Sequence, residues 1–102
     1  MFVHTVYFWL DPEMPDDTKQ RMLADCESLL SKIPGVRHAW GGIPAGTPRD
    51  IVDNSYDIGL CVVLDNAAAH DAYQIDPLHQ QFAGAYKEFW KRVQVYDFHR
   101  GK

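Results

Sequence analysis

The sequence predicts an α+β domain in which a four-stranded antiparallel sheet carries helices on one face. Stretches rich in β-branched and aromatic residues, which are typical of strands, alternate with stretches whose apolar residues recur at helical spacing. The chain has 102 residues, of which 46% are hydrophobic and 13% aromatic. That length and composition suit one core. We therefore expect a single domain over residues 1–102.

The first strand and the first helix have clear sequence signals. Residues 2–10, FVHTVYFWL, have strand composition and end at Asp11-Pro12. Alternation gives this strand two largely apolar faces. A helix is expected to start at Pro15, because proline loses no hydrogen bond in the first helical turn. Its apolar residues form one stripe, and it is expected to stop at Pro34-Gly35.

Two further strands flank a long loop. Residues 36–40 are predicted to be the second strand, and a loop rich in glycine and proline follows over residues 41–55. A loop of this length is unusual in so small a domain, so we expect it to cover a site or a subunit contact. The third strand, residues 56–65, is nearly continuously apolar and is predicted to be the most buried.

A helix pair and a last strand complete the chain. Asn66 is a favourable N-cap for a short helix, and Asp76 with Pro77 favours the start of another helix directly after it. The second of these helices carries a predicted core stripe of aromatic residues, Phe82, Tyr86, Phe89 and Trp90. A last strand is predicted over residues 93–98 from its alternation.

This order of elements is that of a ferredoxin-like fold: strand, helix, strand, strand, helix pair, strand. Helices cover only one face of such a sheet, yet the predicted strands are apolar on both faces. We therefore expect a homodimer in which the open sheet faces of two protomers pack together and close an α+β barrel.

Charge and hydropathy exclude several classes of partner. Ten basic and fourteen acidic residues give a formal net charge of −4 with no basic cluster, so no binding to nucleic acid or to a membrane is expected. No apolar run approaches the roughly 18 residues of a membrane span, and no signal segment is recognisable, so a cytoplasmic location is expected. Cys26 and Cys61 lack CxxC spacing and are predicted to be small buried hydrophobes.

Five segments, in order along the chain, carry a resemblance to a known family. They are H-x-V-Y-F from His4, IPGV at 33–36, YDIGLCVVLD at 56–65, AYQIDPLHQQF at 72–82 and RVQVYDF at 92–98. Together they resemble the stress-responsive A/B barrel (Dabb) domain proteins. The resemblance implies a ferredoxin-like protomer, a homodimer that forms an α+β barrel, and a cavity between sheet and helices for a small apolar molecule.

The resemblance extends more distantly to the plant olivetolic acid cyclases, which cyclise a linear polyketide acid by aldol chemistry without a cofactor. Their tyrosine and histidine pair matches Tyr73 and His79 here, and a pocket histidine on the first strand matches His4. Two other pocket positions differ, since Cys26 replaces a tyrosine and Ile58 replaces a histidine. The pair is retained while its surroundings are changed.

The tyrosine and histidine pair has a chemical and a structural interpretation. His79 lies on the first turn of a predicted helix, where the helix dipole disfavours the protonated imidazole. A neutral His79 could act as a general base next to a carbonyl, with Tyr73 donating a hydrogen bond to the carbonyl or enolate oxygen. Alternatively, His79 satisfies backbone groups at the turn and Tyr73 belongs to the core. His4, in an apolar row, has the same two interpretations.

The other histidines and the glycines indicate no cofactor. His38 alternates with apolar residues and could face an interior, whereas His70 and His99 are predicted to be exposed. The five histidines show no HxH, HxxxH or HExxH spacing, so no metal is expected, and a metal site would have to be assembled from distant strands. No glycine-rich nucleotide loop is present, and no serine or cysteine has the context of a nucleophile.

Two main functions are consistent with the sequence. One is a homodimeric domain that binds a small apolar or carbonyl-containing molecule without catalysis. The other is a cofactor-independent lyase, cyclase or isomerase with His79 as general base and Tyr73 as hydrogen-bond donor. A cofactor-free monooxygenase is a third alternative, because other dimeric α+β barrels include such enzymes. The further residues predicted to contact a ligand are His4, Cys26, Ile58, Phe82 and Trp90.

Overall fold

The computed structural model describes residues 1–101. The strands are β1 (Phe2–Leu10), β2 (Val36–Gly42), β3 (Ile58–Leu64) and β4 (Trp90–His99). The helices are α1 (Asp16–Ser28), α2 (Ala67–Ile75) and α3 (Pro77–Tyr86), with short 3₁₀ turns at Leu30–Lys32 and Lys87–Phe89. The strands form one antiparallel sheet in the order β2-β3-β1-β4. This is the predicted ferredoxin-like arrangement.

The register of the central strand decides which side chains meet above the sheet. In β1, His4 lies opposite Val62 of β3 and opposite Asp97 of β4. Directly opposed residues of antiparallel strands point to the same face. His4, Val62 and Asp97 therefore share the face that the helices cover.

The core lies between that face and the helices. Alternate residues of β1 and β3 are buried, and the helices and β2 add further apolar side chains. The buried set comprises Val6, Phe8, Met22, Cys26, Leu30, Ile33, Ala39, Ile58, Leu60, Val62, Leu64, Tyr73, Phe82 and Tyr86. The third strand alternates between buried and half-buried positions, so its second face borders the open side of the sheet.

The break between α2 and α3 forms as predicted. The Asn66 side chain accepts a hydrogen bond of 2.8 Å from the backbone N–H of Ala69 and caps α2. The Asp76 side chain accepts one of 2.8 Å from the N–H of Leu78 and caps α3, with Pro77 in the first turn. Because the two helices are separated by a single residue, the last turn of α2 lies beside the first turn of α3.

Two predicted helix ends were wrong. The first α-helix ends at Ser28 rather than at Pro34, and a 3₁₀ turn over Leu30–Lys32 follows it; this turn stops at Ile33, which precedes a proline and is extended, with φ −71° and ψ 132°. The helix α3 ends at Tyr86, so Phe89 and Trp90 of the predicted aromatic stripe lie outside it. Trp90 instead begins β4, where it pairs with Leu10 of β1. Trp90 still contacts the core through Phe8, with ring centroids 4.8 Å apart.

The helix-free face of the sheet, called here the open face, is rich in exposed aromatic side chains. Trp40, Tyr96 and Phe98 are 48%, 62% and 61% exposed. His38 lies on this face, stacked on Trp40 at 5.0 Å between ring centroids, so it does not face the protomer's interior. Cys61 lies opposite Trp40 and is half-buried rather than buried.

The long loop returns along the open face. β2 runs two residues further than predicted and β3 starts two residues later, so the loop covers residues 43–57. Near its end, the indole N–H of Trp9 donates to the Ser55 hydroxyl at 3.1 Å, and Tyr56 packs edge-on against Tyr7 with ring centroids 4.9 Å apart. Among residues 1–101, no helix is long and apolar enough to cross a membrane.

Candidate functional site

A half-open cavity of about 200 Å³ lies between the sheet and the helices α2 and α3, next to β4. Most of its wall is apolar. The apolar lining residues are Val6, Phe8, Leu60, Phe82, Trp90, Val93 and Val95, and the polar ones are His4, Tyr73, Gln74 and His79. Polar groups that converge in an apolar cavity are typical of small-molecule sites.

The cavity exists because the helices leave the β4 edge of the sheet uncovered. Val93 and Val95 lie opposite Phe8 and Val6 of β1, so they point to the helix-covered face. They are nevertheless 42% and 41% exposed. Two valines that face the helices without being covered form one wall of the cavity.

Tyr73 and His79 meet across the break between α2 and α3. Their ring centroids are 4.9 Å apart at an interplanar angle of 72°, an edge-to-face contact. Tyr73 is only 1% exposed, and this burial raises the pKa of its phenol well above the usual value. The hydroxyl therefore stays protonated near neutral pH and can act as a hydrogen-bond donor.

His79 is held as a neutral imidazole. Burial lowers its pKa below the usual value, His4 and His70 act in the same direction, and Asp76 opposes them. The direction is the predicted one, and burial is its largest cause. Its Nδ1 atom is buried and has no hydrogen-bond partner within residues 1–101, so that nitrogen does not satisfy backbone groups at the turn.

A second histidine of the cavity wall is paired with an acid. The Nδ1 atom of His4 lies 2.6 Å from Oδ1 of Asp97, and the two side chains are 11% and 32% exposed. Asp97 was not singled out from the sequence. The available signal was its position in β4, where it continues the alternating row of Val93 and Val95 that faces the helices.

His70 was predicted to be exposed, and this prediction was wrong. The residue is 8% exposed and stacks on Phe2 with ring centroids 4.3 Å apart. Residues three apart share one side of a helix, so His70 lies on the same side of α2 as the buried Tyr73. Burial, followed by the neighbouring His4, lowers the pKa of His70.

Five of the seven predicted site residues line the cavity, and two do not. The five are His4, Tyr73, His79, Phe82 and Trp90. Cys26 and Ile58 are completely buried in the core and lie outside the cavity wall. Burial raises the pKa of the Cys26 thiol to about 12, so this residue is an inert apolar side chain.

Another depression, of about 300 Å³, lies on the open face. Its wall includes Tyr7, Trp9, Tyr56 and Tyr96, and the Arg92 guanidinium lies 4.2 Å from the Trp9 ring. An aromatic depression on an uncovered sheet face is typical of a protein contact surface. The cavity between sheet and helices, which holds the convergent polar groups, is therefore the better candidate for a ligand site.

Comparisons with known proteins agree with this architecture. The family model of the stress responsive A/B barrel domain (Dabb) matches residues 2–100. No curated protein matches the sequence. A Dabb family protein from Mesorhizobium loti with a ferredoxin-like fold is 24% identical, with a TM-score of 0.77 over 99% of this chain and 97% of that chain.

Two other solved structures have the same fold at lower identity. A dimeric ferredoxin-like protein of unknown function from Thermobifida fusca is 18% identical, with a TM-score of 0.80 over 95% of this chain and 88% of that one. The hydroxynitrile lyase from Passiflora edulis is 13% identical, with a TM-score of 0.80 over 95% of this chain and 90% of that one. The match over residues 2–100 identifies the chain as a member of the stress responsive A/B barrel (Dabb) domain family.

Proposed function

We propose that this protein is a homodimer that binds a small, largely apolar molecule carrying a carbonyl group in the cavity between the sheet and the helices α2 and α3. The observation that carries the proposal is the convergence of Tyr73 and His79 on one apolar cavity. A buried phenol donates a hydrogen bond to a carbonyl oxygen, while the valine and aromatic walls hold the apolar remainder of the molecule.

The cavity volume limits the size of the ligand. A cavity of about 150 Å³ holds one benzene molecule, whereas drug-sized ligands occupy roughly 300–1,000 Å³. The volume of about 200 Å³ found here therefore suits a single ring with a short substituent, or a chain of similar bulk. Aryl ketones and short β-keto acids belong to this class.

Acetophenone is a suitable probe of binding, because it combines one ring with one carbonyl. Occupation of the cavity is expected to shift the NMR methyl signals of Val93 and Val95, which line it. The methyl signals of Val3 and Val63, paired with each other on the open face, should not move. Shifts confined to Val3 and Val63, or no shifts at all, would contradict binding in this cavity.

The homodimer is supported by the aromatic side chains on the open face. Three of them are about half exposed or more, and an exposed aromatic surface of this kind is typical of a contact with another protein. Phe98→Glu places a charge on this face and should convert a dimer to a monomer in sedimentation at micromolar concentration. Ile75→Glu, at a 77% exposed position of α2, is the matched control and should leave the dimer intact.

A second candidate function, proton abstraction next to the ligand's carbonyl, is favoured by the neutral imidazole of His79, which lines the cavity beside Tyr73. In this step the neutral imidazole takes the proton from the α-carbon. The C–H electron pair moves toward the carbonyl, and the hydroxyl of Tyr73 stabilises the enolate oxygen that forms. If the enolate is then protonated at a different carbon, the reaction is an isomerisation. If the enolate attacks a second carbonyl, the reaction is a cyclisation, and if it expels a leaving group, the protein is a lyase.

The comparison structures give limited support to the catalytic candidate. One solved structure with this fold is a hydroxynitrile lyase, so the fold can host lyase chemistry. A fold does not assign a function by itself. The support specific to this chain is the protonated phenol of Tyr73 beside the neutral imidazole of His79.

A further inference from the structure

We propose that His4, His70 and Asp97 form a binding site for one divalent transition-metal cation of the Zn²⁺ class. One donor atom from each of these residues lies within 4.8 Å of the other two. They come from β1, α2 and β4, so the site is assembled from three elements that are distant in sequence. His4 also lines the ligand cavity, but Tyr73, His79, His70 and Asp97 each belong to only one of the two proposed sites, so variants at these four residues test the two proposals separately.

The side chain of His70 supplies the observation that points to a ligand. The residue is 8% exposed, and its Nε2 atom is buried without a hydrogen-bond partner within residues 1–101. Oδ2 of Asp97 lies 4.0 Å from this atom, which is too far for a hydrogen bond. A buried imidazole nitrogen at this distance from a carboxylate needs a bridging water or cation, and the second imidazole, that of His4, at the same carboxylate favours a cation.

The distances reach those of a zinc site only after the Asp97 carboxylate and the histidine rings move, since the donor atoms now lie up to 4.8 Å apart. Zinc binds histidine nitrogen at about 2.0–2.1 Å in tetrahedral geometry, which separates neighbouring ligand atoms by roughly 3.3 Å. The pair His4 Nδ1 and Asp97 Oδ1, at 2.6 Å, is closer than this. The pair His70 Nε2 and Asp97 Oδ2, at 4.0 Å, is wider. A modest rotation of the Asp97 carboxylate would bring the two separations together.

The donor set selects the class of metal. Two imidazoles and one carboxylate suit Zn²⁺, Co²⁺ and other first-row transition cations, whereas Mg²⁺ and Ca²⁺ prefer oxygen ligands alone. Binding at His4 Nδ1 would replace its hydrogen bond to Asp97, and the imidazole proton would then sit on Nε2, the other ring nitrogen. Three protein ligands leave a fourth position for water, as in catalytic rather than structural zinc sites.

Neighbouring groups hold the His70 ring in place. The ring stacks on Phe2 at an interplanar angle of 18°, and its Nδ1 atom lies 3.3 Å from the Gln74 side-chain amide. The atom at that distance is the amide nitrogen, which donates to Nδ1; a flip of the amide, which exchanges its nitrogen and oxygen, would let Nδ1–H donate to the oxygen and leave the lone pair of the ring Nε2 for a metal. Hydrogen bonds of this kind to the second nitrogen of a ligating histidine orient the ring and increase metal affinity.

The test is a titration of the metal-free full-length protein with Zn²⁺ and with Co²⁺. We expect one Zn²⁺ per protomer by calorimetry, and visible d–d bands of Co²⁺ without the charge-transfer band of a thiolate ligand. His70→Phe retains an aromatic ring on Phe2 and removes the ligand, and Asp97→Asn removes the negative charge. Each should weaken Zn²⁺ binding at least about a hundredfold, since loss of supporting groups alone costs 10–100-fold.

Matched histidine variants show whether binding is specific to the cluster. His38→Ala and His99→Ala remove exposed imidazoles outside it and should leave affinity unchanged. The proposal is overturned if the wild-type protein binds no stoichiometric Zn²⁺. It is also overturned if His70→Phe binds as tightly as wild type, or if a thiolate band shows that cysteine holds the metal.

Discussion

Replacing His79 by alanine tests whether the cavity performs chemistry, and the expected effect follows from the geometry of the site. The wild-type residue is a neutral imidazole with an unpartnered Nδ1. Its ring centroid is 4.9 Å from that of Tyr73. A positioned general base contributes roughly 10²–10⁴-fold to a proton transfer. His79→Ala should therefore slow proton abstraction from a cavity-bound ketone by about that factor.

The assay is exchange of the acetophenone methyl protons for deuterium in D₂O, followed by NMR. Each exchange event requires removal of one α-proton and return of one deuteron, so no assumption about the natural product is needed. Tyr73→Phe removes the donor to the enolate oxygen and should slow exchange by about 10²–10³-fold. His38→Ala, an exposed histidine on the open face, is the control and should exchange at the wild-type rate.

The pH dependence of exchange supplies an independent check. Burial lowers the pKa of His79 from its usual value of 6.5, and the groups that act on it are His4, His70 and Asp76. The basic form is thus dominant at pH 7. The His79-dependent rate should fall as the imidazole is protonated, and the midpoint of that fall should lie below pH 6.5. Exchange no faster than in buffer, or equal in wild type and His79→Ala, would refute the role of His79 as a base.

Two further predictions concern the structure that positions the site. A Cβ at Gly41 would lie 2.7 Å from the Cβ of Cys26, so Gly41→Ala should cost about 1–3 kcal/mol of unfolding free energy. Gly42→Ala, which meets no atom within 4 Å, should cost much less, and equal losses in urea unfolding would contradict the close approach. Asp76→Ala removes the α3 cap and should cost about 0.5–2 kcal/mol, or several degrees in melting temperature. Asp71→Ala, at an exposed position of α2, should change stability by under about 0.5 kcal/mol, and equal losses from both aspartate variants would exclude a capping role.

The parts of the site that depend on local chemistry were predictable from the sequence. The Asp76 side chain caps α3, and the ring of Pro77 suits the first turn of a helix. These two residues alone place Tyr73 and His79 on facing turns. The alternation of β1 likewise placed His4 on the same face as Val6 and Phe8, but it did not decide which of the two apolar faces the helices cover. Local preferences of this kind do not depend on the rest of the chain.

The parts that depend on tertiary contacts were not predictable. The pairing of Asp97 with His4 requires the register between β1 and β4, strands separated by most of the chain. His70 is buried because it lies on the side of α2 that faces the sheet. The nine residues of α2 are only weakly amphipathic, so the sequence does not show which side that is. In the sequence, Trp90 is compatible with the apolar stripe of a helix and also with a strand. Its pairing with Leu10 of β1 places it in β4.

The central claim is that Tyr73 binds the carbonyl of a small apolar ligand inside the cavity. The most direct measurement compares the affinities of acetophenone and of ethylbenzene, its carbonyl-free analogue, for wild type and for Tyr73→Phe. A net hydrogen bond is worth about 0.5–1.5 kcal/mol, so the preference of wild type for acetophenone should exceed that of Tyr73→Phe by this amount. An identical preference in both proteins would contradict the claim.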